Sequence, residues 1–154
     1  MKHWLFKSEP STFSIDDLEQ KPSQTAPWDG VRNYQVRNFL RDTIEKGDLA
    51  FFYHSSCPQP GIVGVMEIMS VGYPDPSAWD PASHGYDPKS SLLNPRWFMV
   101  DVRLKQKFKR IISLTEIKKH PVLGEMLVSR RGNRLSITPV TAAEWDSVLK
   151  IAKS

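Results

Sequence analysis

The sequence predicts an α+β fold: a small, mostly antiparallel β-barrel with helices packed outside it. Three observations carry this expectation. Apolar residues run or alternate over short segments that end in turn residues, the pattern of hairpin-joined strands. Helical spacing and capping signals flank those segments. The order β-α-α-β-β-loop-β-α-β-α lacks the regular strand–helix alternation of a parallel sheet. The chain has 154 residues, enough for one compact domain with a sizeable core, so residues 1–154 read as a single domain.

The first element, His3 to Phe6, is short and apolar and reads as a strand that stops at Glu9-Pro10. Ser14 stands before Asp16 and Asp17 as a helix N-cap, and Pro22 limits that helix to about two turns. The stretch WDGVRNYQVRNFLRD follows, residues 28–42. In it Trp28 precedes the turn signal Asp29-Gly30, and Asn33 caps a second helix with an apolar face of Val36, Phe39, Leu40 and Ile44. Gly47 ends that helix. Residues 48–54 and 62–68 are two strands around SSCPQPG, a hairpin.

From Gly72 to Pro95 proline follows Asp or Asn four times, which favours turns throughout. A loop that long inside a compact domain is usually functional or disordered, and Trp79, His84 and Tyr86 within it argue against disorder. Trp97 to Leu104 alternates as a strand, with Arg103, Lys105, Lys107 and Lys109 continuing its other face. Ser113 to Glu116 is a capping-box pattern opening a short helix. Arg130, Arg131 and Arg134 lie in a basic turn before a strand at Leu135–Ile137, and Thr141 to Glu144 opens a last helix that buries Trp145, Val148, Leu149 and Ala152.

Charge is unevenly placed. Residues 1–100 hold 9 Lys+Arg against 12 Asp+Glu, and residues 101–154 hold 12 against 5. A basic C-terminal third offers a surface for phosphates, through Lys105, Lys107 and Lys109 on the strand and Arg130, Arg131 and Arg134 in the turn. The opposing reading is a solvated strand face kept charged against edge pairing. Cys57 is the one cysteine, so no internal disulfide forms, which fits a reducing compartment. With no apolar leader and no run near the ~20 residues of a spanning helix, the expectation is a cytoplasmic protein, nuclear if its source has a nucleus, that needs no membrane.

The histidines have no zinc-like spacing, and one cysteine cannot build a thiolate site, so no metal is expected. No glycine-rich phosphate loop is present and no cofactor is expected. Cys57 and His54 could pair as nucleophile and base, but a turn cysteine near a strand end explains them better. Lys7, Glu9 and Tyr53 could perform acid–base chemistry if they converge. Trp28 and Trp79 lie where no periodicity demands them, so each either caps the core or stacks on a flat ligand.

The segments WLFKSEP, WDGVRNYQVRNFLRD, GDLAFFYHS, GIVGVMEI, NPRWFMVDV and RLSITPVTAAEW, in this order, resemble the EVE domain, over nearly the whole chain from Trp4 to Leu149. That family belongs to the PUA-like superfamily, with the YTH readers of methylated adenine. The resemblance implies a PUA-like small barrel flanked by helices, and a pocket. By likeness to YTH domains, Lys7-Ser8 and Trp28 stand where the base-binding cavity is lined, and Trp79 is the nearest match to a second aromatic. Glu9 departs from the YTH pattern, which argues against methylated adenine and leaves modified cytosine open; the resemblance to EVE proteins implies a reader of modified cytosine in DNA.

The functional expectation is therefore a non-catalytic, monomeric nucleic-acid-binding module that captures a modified base. Trp28 and Trp79 stack it, while Lys7, Ser8, Glu9, Asn33, Tyr53, His54 and Ser55 surround its edge. Arg32 and Arg37 join the basic residues named above as phosphate contacts. Two rivals stand beside it. One is an ASCH-like ribonuclease using Lys7, Glu9 and Tyr53. The other is a generic RNA-binding module of the same superfamily that uses the basic strand alone.

Overall fold

The computed structural model describes residues 1–153; Ser154, the last residue of the expected domain, lies outside the described residues. The middle of the molecule is built from β1 (His3–Ser8), β3 (Leu49–His54) and β4 (Gly61–Ile68). Their near-continuous apolar runs have a simple cause. Trp4, Phe6, Ala50 and Phe52 belong to one core, and Leu5, Phe51 and Tyr53 to another. A strand covered on both faces has no solvent side, so polar alternation disappears.

The two cores are closed by different parts of the chain. Over the first lie α1 (Ile15–Glu19), β2 (Thr25–Trp28) and α2 (Tyr34–Asn38), which contribute Ile15, Leu18, Trp28 and Val36. Over the second lie α3 (Leu114–Lys119) and α4 (Ala142–Ala152), with Ile117, Trp145 and Val148. The caps read from the sequence are in place. Ser14 and Thr141 close full capping boxes with Asp17 and Glu144, and Asn33 and Ser113 cap through their side chains.

Seven strands make the sheet, in the order β2-β6-β4-β3-β1-β7, where β6 is Phe98–Ser113 and β7 is Ile137–Val140. A short β5 (Tyr73–Pro74) pairs with β6 off that path. The expected hairpin is the antiparallel β3–β4 pair, and β1–β3 is parallel. That parallel pair needs a long crossover, supplied by the segment holding α1, β2 and α2. The α+β architecture is the expected one, with a correction to its closure. Among the described residues the terminal strands β2 and β7 are not bonded to each other, so the sheet is open where the sequence suggested a barrel. Each terminal strand carries a proline, Pro27 or Pro139, where the lost N–H costs no further pairing.

Three elements depart from their sequence outlines. Trp28, expected at the mouth of a turn, is the last residue of β2 and lies opposite Val100 of β6. Four residues that include a proline are too few to register a period. β6 runs past Leu104 to Ser113, because register shifts against β4 return Phe108 and Ile112 to the second core after an interval of charged residues. The helix after Asn33 keeps α geometry to Asn38 and then continues as a π turn over Phe39–Thr43, with Leu40 still buried.

Candidate functional site

A cavity of about 590 Å³ opens where β1 ends and β2 turns away, within the range of about 300–1,000 Å³ usual for ligand pockets. Its wall includes Lys7 and Ser8 at the end of β1 and Glu9 just after it, Phe13 from the turn that follows, Trp28 at the end of β2, and Asp29 and Arg32 just beyond it.

Trp28 is 7% exposed. Phe6, Phe13 and Phe52 meet its ring edge-on, with centroids 5.3, 6.1 and 5.2 Å away. Such edge contacts fix the plane of the indole. The two readings of this tryptophan, core plug and pocket wall, are both realised, since the packed side locks the ring that lines the cavity.

The Ser8 side is shaped by backbone. The N–H groups of Thr12 and Phe13 both donate to the Glu9 carbonyl at 2.9 Å, so residues 9–13 form a tight turn. The Ser8 hydroxyl donates to the Phe13 carbonyl at 2.7 Å, and the Ser55 N–H donates to the Ser8 carbonyl at 3.0 Å. Glu9 is exposed at the rim. Burial lowers the pKa of Lys7.

The segment after Trp28 rests on one buried carboxylate. Asp75 is fully buried and accepts from the Gly30 N–H at 2.9 Å, from the Ser77 hydroxyl at 2.6 Å and N–H at 2.9 Å, and from Arg32 Nη1 at 3.2 Å. Burial pushes its pKa up, but these donors together outweigh that and hold it below the usual carboxylate value. Gly30 takes φ +80°, the left-handed region that favours glycine, and so turns its N–H toward Asp75. Asp29, beside this network, has its pKa raised by burial and then by the Asp75 charge.

Arg32 corrects an expectation. Its guanidinium is committed inside the protein: Nε donates to the Gly85 carbonyl at 2.8 Å, Nη1 to the Val31 carbonyl and Asp75, and Nη2 to Ser77 Oγ at 3.1 Å. It braces the cavity wall and has no free fork for a phosphate. Arg37 is similarly occupied, donating to Asn38 Oδ1 and to the Arg96 carbonyl. Lys107 pairs with Asp16 at 2.5 Å and Glu19 at 3.5 Å. Lys105, Lys109, Arg130, Arg131 and Arg134 are exposed, and among the described residues none of these five has an ion pair.

Several residues expected at the pocket lie elsewhere. Asn33 is spent on capping α2. Tyr53 is in the second core, 3% exposed, and burial followed by the nearby Cys57 pushes its pKa up to about 12. His54 accepts the Ile15 N–H on Nε2 at 3.1 Å, lines a separate cavity of about 210 Å³, and has its pKa lowered by burial. Ser55 touches the site only through its backbone bond to Ser8. Trp79 ends a 3-10 turn (Pro76–Trp79) started by Asp75, and the cavity wall does not include it. The loop that carries it buttresses the site from behind through Asp75, Ser77 and Gly85. Lining residues that the sequence does not single out include Phe13, Asp29, Thr12, Lys21 and Ser136. Phe13 sits alone between Pro10 and the Ser14 cap, without periodic signal, whereas Asp29 is part of the Asp29-Gly30 turn signal, which marks a turn and not a cavity.

The family model for the EVE domain matches residues 2–151. Thymocyte nuclear protein 1 of Gallus gallus is 47% identical, over 97% of this chain and 68% of its own length. A protein from Pseudomonas syringae of known structure is 46% identical with a TM-score of 0.92, covering 97% of this chain and 99% of its own. Human THYN1 protein, solved in complex with DNA containing 5-methylcytosine, is 44% identical with a TM-score of 0.93, covering 100% of this chain and 99% of its own. A family model spanning nearly every residue, with full-length structural likeness at that identity, leaves one assignment: the chain belongs to the EVE domain family.

Proposed function

We propose that this protein is a non-catalytic reader of modified cytosine in DNA, and that it takes the extruded base into the Trp28 cavity. The observation that carries the reading is that one cavity gathers Trp28, Ser8 and Glu9 in a chain 44% identical to a human protein solved on 5-methylcytosine DNA. The chemistry fits the base. Cytosine presents an amine that a carboxylate accepts, and Glu9 stands at the rim. The 5-methyl group adds apolar surface that favours a wall such as Trp28 and Phe13. Lys105, Lys109, Arg130, Arg131 and Arg134 are exposed groups free to hold flanking phosphates.

The ribonuclease alternative required Lys7, Glu9 and Tyr53 to converge. Tyr53 is buried in the second core, and that removes the support for it. The test compares duplexes that differ only in one cytosine, unmodified or 5-methylated, at fixed salt. Tighter binding to the methylated duplex supports the reading. Equal affinity, or cleavage of either strand, overturns it.

A further inference from the structure

Two leucines at residues 92 and 93 are claimed by neither core. Leu92 is 73% exposed and Leu93 96%. They occupy the tip of a closed turn, in which Ser91 N–H donates to the Asn94 carbonyl at 3.3 Å and Asn94 N–H to the Ser91 carbonyl at 3.2 Å. The base of the turn is braced. Arg96 N–H donates to the buried Ser90 hydroxyl at 3.0 Å, and Asp87 accepts from Trp97 Nε1 at 2.7 Å while pairing with Arg96 at 3.6 Å. The exposure is thus held in place by the fold.

The stem is tied to the cavity by contacts. Arg32, in the cavity wall, lies 5.5 Å from the Trp97 ring centroid. Trp97 stacks on Tyr34 at 4.7 Å, and Arg96 and Arg37 sit over Tyr34 at 5.5 and 5.0 Å. The turn admits a polyanion: residues 88–98 hold no carboxylate and an exposed Lys89, and the one acid at its base, Asp87, is already paired with Arg96.

We infer that Leu92 and Leu93 form a wedge that enters the DNA base stack and holds open the gap left when the modified cytosine swings into the Trp28 cavity. The inference rests on the base-capture reading. A paired base reaches a pocket only by leaving its stack. Apolar side chains placed between base steps are a general means of stabilising an unstacked site. Two leucines supply that filling without reading sequence, so the wedge tolerates any neighbouring base, and burying them in the stack removes exposed apolar surface from water.

The experiment uses wild type, Leu92→Ser/Leu93→Ser and Trp28→Ala. Each is titrated onto a duplex with one 5-methylcytosine beside 2-aminopurine, and onto the same modified strand alone. Both leucines are exposed, so thermal unfolding of the double variant should match wild type. The expected result is roughly tenfold or greater loss on the duplex, with the 2-aminopurine fluorescence rise abolished. Single-strand binding is unchanged, because nothing has to be extruded there. Undiminished duplex binding, or an equal loss on the single strand, overturns the wedge. Trp28→Ala should instead lose methyl preference on both substrates. If wild type has no methyl preference on the single strand, base capture itself fails, and the wedge falls with it.

Discussion

Removing the Trp28 indole takes away a cavity wall and a core side chain together. Stacking a base on an aromatic contributes about 1–3 kcal/mol, so Trp28→Ala should cut the preference for the methylated base roughly five- to 150-fold. Loss of a buried tryptophan costs about 3–5 kcal/mol of stability, and the three ring contacts to Phe6, Phe13 and Phe52 place Trp28 in that class. Trp28→Phe is the cleaner probe: a folded variant, checked by chemical denaturation, that keeps part of the preference. A stable Trp28→Ala variant with wild-type discrimination would make the residue a plug alone. Glu9→Gln tests the edge of the base. Glu9 is exposed, so stability should move by less than about 0.5 kcal/mol, while the advantage of 5-methylcytosine over thymine falls about tenfold in polarisation assays. Asp75 makes a prediction about pH. Its folded pKa lies below the ordinary 3.8, so the unfolded chain binds more protons in acid and stability falls with pH. The contribution is complete above 3.8 and is lost as pH drops through the lower folded value. Asp75→Asn should therefore cost about 3 kcal/mol at pH 7 by urea titration, and the gap to wild type should close in strong acid.

The legibility of each element followed its length and its caps. The four capped helices have side-chain oxygens at fixed spacing from the donors they satisfy, which a sequence displays directly. β2 and β5 have four and two residues, too few for a period, and each exists because β6 offers it an edge. The β4–β6 pairing is equally close. A Cβ at Gly64 would lie 2.4 Å from the Gln106 carbonyl oxygen and 2.4 Å from Ile15 Cδ1. Gly64→Ala should thus destabilise the protein by about 1–3 kcal/mol in urea titrations, because a backbone oxygen in a central strand cannot yield as a side chain can. A wild-type midpoint for this variant would mean that β4 and β6 separate more readily than the register implies.

At the scale of the whole molecule, charge is the property that acts at a distance. Arg130, Arg131 and Arg134 are exposed, so replacing all three by Ala should weaken binding to every DNA sequence alike. The salt dependence should flatten by about 0.9 in log–log slope for each phosphate contact removed. A slope equal to that of wild type would make this turn solvated surface only. The sequence by itself determined the fold class, the helix caps, the β3–β4 hairpin and the cavity residues Lys7, Ser8, Glu9 and Trp28. Each of these rests on a local pattern or on a motif carried in order along the chain. Tertiary structure alone decided that the sheet is open, that Trp28 is packed while it lines a wall, and that Arg32 is a brace. It also set Tyr53 and His54 apart from the cavity and kept Trp79 out of its wall. The physical reason is that Asp75 and Gly85 meet Arg32 across more than forty intervening residues, and Tyr53 joins a core whose other members lie mostly in the C-terminal half. No local pattern encodes which donors a buried carboxylate will gather, because that depends on where the rest of the chain lies once the cores have closed.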